Sequence, residues 1–429
     1  MQEEFLYYLW QYRLLYPSLL HLESGETLEV LHPGYRNHES GPDFFNARLR
    51  IAGLLWAGNV ELHVKSSDWE KHGHRNDPAY DHIILHVVHG HDAELKRSDG
   101  SAIPTLVMDG KYPPEYLEHY KLLMQGAAEH VSCSRQLNEV PDQHKTLWLD
   151  RLLTERLESR FKEIDRMHLL GGKSWPQTFY RVLAKGFGFR TNALPFELLS
   201  QAVPYDLMLR HRHVPEELEG LYFGQAGLLP PGPSDPYAER LRKHYRYFRH
   251  KYQLSPLSAH LWKFGGLRPL NFPTLRISQF AMLHHSHEHL PDKVISAVTI
   301  EELYRVFDIS VSDYWYHHFR FGSPADPLKK VLGRDSIRNL LINAVIPFLF
   351  YYGRRQHLQV LCDKALYWME QLEPEKNRIT RQWLESGWKA RDAGQSQALL
   401  HLKKHYCDYK KCVNCGIGKF LLSQSCTHS

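Results

Sequence analysis

The chain contains Ser40-Gly41-Pro42-Asp43 and, 18 residues beyond Asp43, Glu61-Leu62-His63-Val64-Lys65. Two carboxylates meeting at a strand end suit a hard divalent cation such as Mg²⁺ or Mn²⁺, with water and phosphate completing its coordination. Such an ion lowers the pKa of bound water and neutralises charge on a phosphate. A His or Lys just beyond the Glu can then orient the water or stabilise the transition state. Strand side chains alternate, so Glu61, His63 and Lys65 share one face while Leu62 and Val64 take the other. The same residues also read as an exposed ion-pairing face beside an ordinary turn. The partner strand decides between these readings. A strict two-residue turn at Ala52-Gly53 pairs Asp43 with Leu62, on the wrong face. A three-residue loop or a bulge is needed to bring it to Glu61 or His63.

Three further clusters carry donor atoms or charge. His72, His74 and Asp77 follow Ser66-Ser67-Asp68-Trp69. They suit a transition metal such as Zn²⁺, Mn²⁺ or Fe²⁺, contact with substrate phosphate, or, for Asp77 before Pro78, a helix cap. Near the C-terminus Cys407, Cys412 and Cys415 form C-x₄-C-x₂-C, with Cys426, His405 or His428 as a fourth ligand. That spacing suits a structural zinc or an iron–sulfur cluster; reduced thiols in a closing turn are the alternative. Lys403, Lys404, Lys410 and Lys411 add positive charge there. Finally, Leu241 to Tyr252 interleaves aromatics with basic residues, Arg246 and Arg249 among them. A nucleic-acid groove uses that mixture, and so does a charged helix whose stems cover its own core. No phosphate-binding Gly-x-x-x-x-Gly-Lys loop, Gly-x-Ser-x-Gly elbow or His-Glu-x-x-His pair occurs.

Stepping outward from these residues, helical spacing of Phe5, Leu6, Leu9, Trp10 and Leu14 predicts a helix over 3–15, ended by Pro17. Strands are expected at 27–31, 44–51, 54–64 and 83–88, with another over 103–108 and a short helical turn from Asp77-Pro78. From about residue 142 the pattern is helical: 146–167, 174–186, 196–203, 237–247, 300–306, 335–346 and 356–372. Thr299 and Glu302 make a capping-box pair, and Leu229 to Pro233 a loop. The expectation is an α+β protein: an α/β region over 1–125, a helical domain over 126–400 and a Cys-rich tail over 401–429.

The 429 residues are 43% hydrophobic and 24% charged, a composition that excludes a largely disordered chain. A net charge of +5 with 29 His, 24 Tyr and 10 Trp suits either a polyanion-facing surface or aromatic cores. No apolar run approaches the roughly 18–20 residues of a membrane span, so no membrane partner is expected. The start, Met1-Gln2-Glu3-Glu4, is acidic where a secretory signal is basic, which points to the cytoplasm. Six Cys in that compartment argue against a disulfide framework.

Over residues 1–110 the order helix, three strands, helix, strand, with Asp43 opening the second strand and Glu61 on the third, resembles the PD-(D/E)XK nuclease superfamily. The resemblance implies a metal-dependent phosphodiesterase core acting on DNA, with Asp43 and Glu61 as metal ligands. It places His63 at the usual Lys position, with Lys65 able to substitute, and offers Glu4 as a carboxylate from the first helix. The whole chain also resembles an uncharacterised bacterial domain-of-unknown-function family (DUF2851). The residues are Gly41-Pro42-Asp43-Phe44, Gly58-Asn59-Val60-Glu61-Leu62-His63, Ser66-Ser67-Asp68-Trp69 and Arg268-Pro269-Leu270-Asn271-Phe272-Pro273. That second resemblance implies no activity. The expected function is Mg²⁺- or Mn²⁺-dependent DNA hydrolysis, with His72, His74, Arg246 and Arg249 touching substrate. The rivals are a noncatalytic nucleic-acid-binding protein and a protein-interaction scaffold.

Overall fold

The hairpin between the two longest strands sets the N-terminal architecture. In the computed structural model, β3 (Phe44–Ile51) and β4 (Leu54–Lys65) are joined by a two-residue turn with both residues at positive φ, Ala52 at 47° and Gly53 at 83°. Ile51 pairs with Leu54, and the ladder holds that register as far as Ala47 and Gly58. It then shifts, so that Phe44 faces Val60. The extra residue is absorbed at Asn46, whose φ is 56°, as a β-bulge requires. The turn is therefore the strict one, and the bulge moves Asp43 back to the face of Glu61.

The structure describes residues 3–37, 40–74, 77–97, 99–125, 131–232 and 235–424. Among these, the sheet has six strands. β1 (Leu28–His32) and β4 flank β3 antiparallel, and β2 (Tyr35–Arg36) pairs with the start of β3. β5 (Ile83–Gly90) runs parallel to β4, and β6 (Thr105–Val107) parallel to β5. Ile83 to Val88 are all buried, as expected of a strand covered on both faces. Gly58 is required where β4 meets β5, because an added Cβ would lie 2.4 Å from Ile84 Cγ2.

Helix α1 (Glu3–Gln11) packs on β4 and buries Phe5, Leu6, Leu9 and Trp10. It stops short of the expected Leu15 because Arg13 turns to positive φ, 53°. The helices that the pattern did not reveal include α2 (Asp68–Lys71) and α3 (Pro114–Gln125). The 3₁₀ turn Pro78–Tyr80 is capped by Asp77, whose side chain accepts from the Ala79 amide.

The chain divides into two compact units, one of Met1–Trp148, Arg381–Lys389 and Leu402–Ser429, the other of Leu149–Thr380 and Ala390–His401. The first holds the sheet, and the C-terminal tail groups with it. The long helix α4 (Asp142–Leu170) runs from one unit into the other. The second unit is helical, with a large core of side chains such as Tyr180, Tyr222, Phe280, Phe348 and Trp368. Thr299 and Glu302 form the expected capping box over Ile300–Val306. The helix anticipated at 335–346 continues through a π-helical turn, Leu341–Val345, into Ile346–Arg355. The wider turn accommodates Pro347, which has no amide to donate and whose ring crowds the preceding turn. The next helix begins at Gln359 rather than Gln356 because His357 adopts a φ of 56°. The protein is thus α+β, with a mixed N-terminal sheet followed by a helical region. No described helix is long and apolar enough to cross a membrane.

Ala52 occupies a left-handed position that Asn fills more readily. Ala52→Asn should stabilise the chain by about 0.5–1 kcal/mol, read as a higher denaturation midpoint. An unchanged or lower midpoint would mean that the turn does not carry this strain.

Candidate functional site

At the bulge, two carboxylates replace missing ladder bonds. The Asp43 amide donates to Glu61 Oε2 at 3.0 Å, and the Leu62 amide donates to Asp43 Oδ2 at 2.9 Å. Glu61 is buried and Asp43 half-buried. Burial raises the pKa of Asp43, and the Glu61 charge raises it further, against hydrogen bonds from the Leu62 amide and the Tyr7 hydroxyl. Glu61 is raised by burial and by Glu3, against its bond from the Asp43 amide. No positive charge among the described residues offsets the burial of either carboxyl group, and both are held toward the protonated form.

The first-helix carboxylate at this site is Glu3 and not Glu4. Glu4 accepts from Arg36 at 3.1 Å, whereas Glu3 is hydrogen-bonded to Tyr7 and lies in the field of His72 and His74. Lys65 also stays outside. Its side chain is 62% exposed and its ammonium faces Asp92 Oδ2 at 3.9 Å, because the strand ends there and the side chain reaches solvent.

Imidazoles fill the space beside Glu61. His63 Nε2 lies 3.1 Å from His72 Nδ1 and 3.8 Å from Glu61 Oε1, and His74 Nε2 lies 3.3 Å from the same Glu61 oxygen. One ring nitrogen each of His63, His72 and His74 lies within 4.8 Å of the others. Tetrahedral ligands at 2.0–2.1 Å from a zinc stand about 3.3 Å apart, which is close to these separations. Burial drives His63 down to about 2 and His86 down to about 3, and it lowers His74 as well. Burial thus holds His63, His74 and His86 in the neutral form, the one that binds a metal.

His86 comes from β5, directly beside Glu61 in the ladder. Its Nε2 lies 2.8 Å from His63 Nδ1. If His63 donates through Nδ1, its Nε2 lone pair is left for an ion, and His86 acts as the outer partner that fixes the tautomer. His86 Nδ1 and Trp69 Nε1 are buried without a hydrogen-bond partner among the described residues. His86 was missed because the strand reads as apolar, although a His inside Ile-Ile-Leu-His-Val-Val was itself a signal.

Packing holds the imidazole-bearing segment in place. His74 stacks on Tyr80 with ring centroids 3.9 Å apart, and Trp69 meets His63, His74 and His86 edge-on. Ser66 and Ser67 clamp the turn after β4 to the chain beyond β5. Ser66 Oγ accepts from the Asp92 and Ala93 amides at 2.9 and 2.8 Å, and Asp92 Oδ1 accepts from the Ser67 amide at 2.9 Å.

The remaining sequence candidates lie elsewhere. Arg246 and Arg249 are exposed on the helix Pro236–Lys251 of the second unit, but its Tyr245 and Phe248 are core residues. Much of the aromatic interleaving is therefore packing. Cys407, Cys412 and Cys415 are unpaired thiols, while Cys426 and His428 lie outside the described residues.

Fold and site together define an α+β protein with a histidine–carboxylate cluster built on β4 and β5, inner strands of a mixed sheet. The chain belongs to the family described as "Protein of unknown function (DUF2851)", whose model matches residues 3–378. No curated protein and no solved structure matches it.

Ser66 is fully buried, so Ser66→Ala strands two amide donors and should lower unfolding stability by about 1–3 kcal/mol. Urea denaturation measures this. A loss near zero would mean that the Asp92 loop is not held by these bonds.

Proposed function

We propose that this chain is a metal-dependent phosphodiesterase acting on DNA, with the ion held by Glu61, His63, His72 and His74. The observation that carries this reading is the approach of His63 and His74 to one oxygen of a buried glutamate, with His72 3.1 Å from His63. The bulge that sets Asp43 beside Glu61 supports it, as does the helix–strand order noted in the sequence. A donor set of imidazole and carboxylate suits Mn²⁺ or Zn²⁺ better than Mg²⁺. Bound there, the ion would supply an activated water and charge neutralisation at phosphate. Asp43, steadied by Tyr7 and the Leu62 amide, is placed to accept the proton that this water loses. His63 is a ligand in this reading and not the base.

A second reading, noncatalytic nucleic-acid binding, is favoured by one separate feature. The helix Pro236–Lys251 borders a cavity of about 940 Å³ lined by Arg240, Arg242, Lys243 and Arg246. Binding of a polyanion there needs no metal.

Labelled single-stranded, duplex and branched DNA, incubated with Mn²⁺, Zn²⁺ or Mg²⁺ and with EDTA as blank, separates the two readings. Under the hydrolase reading, cleavage falls by about 100-fold or more in Asp43→Asn and Glu61→Gln, while Lys65→Ala stays near wild type. Cleavage unchanged in both carboxylate variants would sink it. Under the binding reading, no cutting occurs, affinity survives both substitutions, and Arg246→Ala with Arg249→Ala weakens binding and flattens its salt dependence by about one unit of slope per lost contact.

A further inference from the structure

Four cysteines converge in the N-terminal unit. Cys407, Cys412 and Cys415 come from the tail, and Cys133 from the segment between α3 and α4. Together they line a cavity of about 20 Å³, with Leu123, Ser132 and Tyr406 around them. Cys133 is the member that the tail spacing could not reveal. His405 is not among the residues lining this cavity.

The surroundings resemble those of metal-bound sulfur. Cys415 Sγ accepts from the Ile417 and Gly418 amides, at the start of the helix Gly416–Ser423. Cys412 is hydrogen-bonded to Ser132. Gly418 packs so closely on the Cys412 carbonyl that an added Cβ would lie 2.1 Å from its oxygen, so the Cys-Val-Asn-Cys-Gly-Ile-Gly turn is shaped around these sulfurs. Lys403, Lys410 and Lys419 place positive charge near Cys407, Cys412 and Cys415 respectively. Burial raises all four thiols, and Cys133, Cys407 and Cys412 are raised further by their cysteine neighbours. An N–H-rich, lysine-flanked pocket suits four sulfur anions once a cation takes the place of their protons.

We propose that Cys133, Cys407, Cys412 and Cys415 together bind a metal centre through four thiolates. On binding, four sulfur–metal bonds form and four protons leave to solvent. One zinc ion or one iron–sulfur cluster uses this same ligand chemistry. The inference is independent of the hydrolase reading and concerns a different part of the unit.

The test uses the full chain purified without air, in a His72→Ala/His74→Ala background so that metal at the histidine cluster is not counted. Iron, zinc and acid-labile sulfide are measured alongside visible absorption. We expect either one zinc per chain or iron with matching sulfide and a brown chromophore. Cys133→Ser should lose most of that metal, whereas Cys362→Ser, a buried thiol of the other unit, should keep it. If Cys133→Ser does not fold, cobalt loaded into the parent chain counts the ligands through its sulfur charge-transfer bands; four thiolates support the site and fewer overturn it. Absence of metal even after reconstitution, full retention in a folded Cys133→Ser, or recovery of these cysteines as disulfides overturns it too.

Discussion

Where the β3–β4 ladder breaks, two carboxylates take over bonds that the backbone cannot make. Asp43 accepts from one strand and Glu61 from the other, so each is pinned by a peptide amide and not by an opposite charge. Buried backbone donors must be satisfied, and here satisfying them obliges two acidic groups to sit side by side. The nearby cations are engaged elsewhere: Arg36 with Glu4, Lys65 with Asp92 and Lys71 with Asp68. Burial lowers the pKa of His63 and of His74, so neither supplies the missing charge. The pocket consequently holds acceptors in excess of positive charge, an imbalance that a bound ion would relieve.

The bulge also shows which parts of this arrangement were readable. Alternation along Glu61-Leu62-His63 and the turn at Ala52-Gly53 together required either a longer loop or a bulge if Asp43 was to reach Glu61. The outcome was the bulge, at Asn46, a residue that tolerates the left-handed conformation. Strand positions were legible because burial imposes a period of two. Partners distant in sequence were not. Glu3 and Tyr7 reach the site only because α1 packs on β4, and one residue of helical phase separates Glu3 from the expected Glu4. His86 depends on the parallel pairing of β5 beside β4. Cys133 lies far from the tail in sequence and carries no local spacing signal at all.

The two donor clusters call for different chemistry. Imidazole and carboxylate around His63 suit a borderline ion that exchanges water and meets a phosphate. The cysteines around Cys415 would, as thiolates, suit a closed centre, zinc or an iron–sulfur cluster. Both lie in the first unit, and the contacts between them run through α1. The turn Cys412–Asn414 packs against α1, and Arg36 bonds to Glu4 of that helix and to Asn414 of the turn. The same Arg36 guanidinium lies over the Tyr7 ring at 4.7 Å, and the Tyr7 hydroxyl bonds to Asp43. The tail therefore braces the helix that supplies Glu3 and Tyr7. Positioning of the acidic pair then depends on segments from both ends of the chain, which explains why the tail groups with the sheet although several hundred residues separate them in sequence.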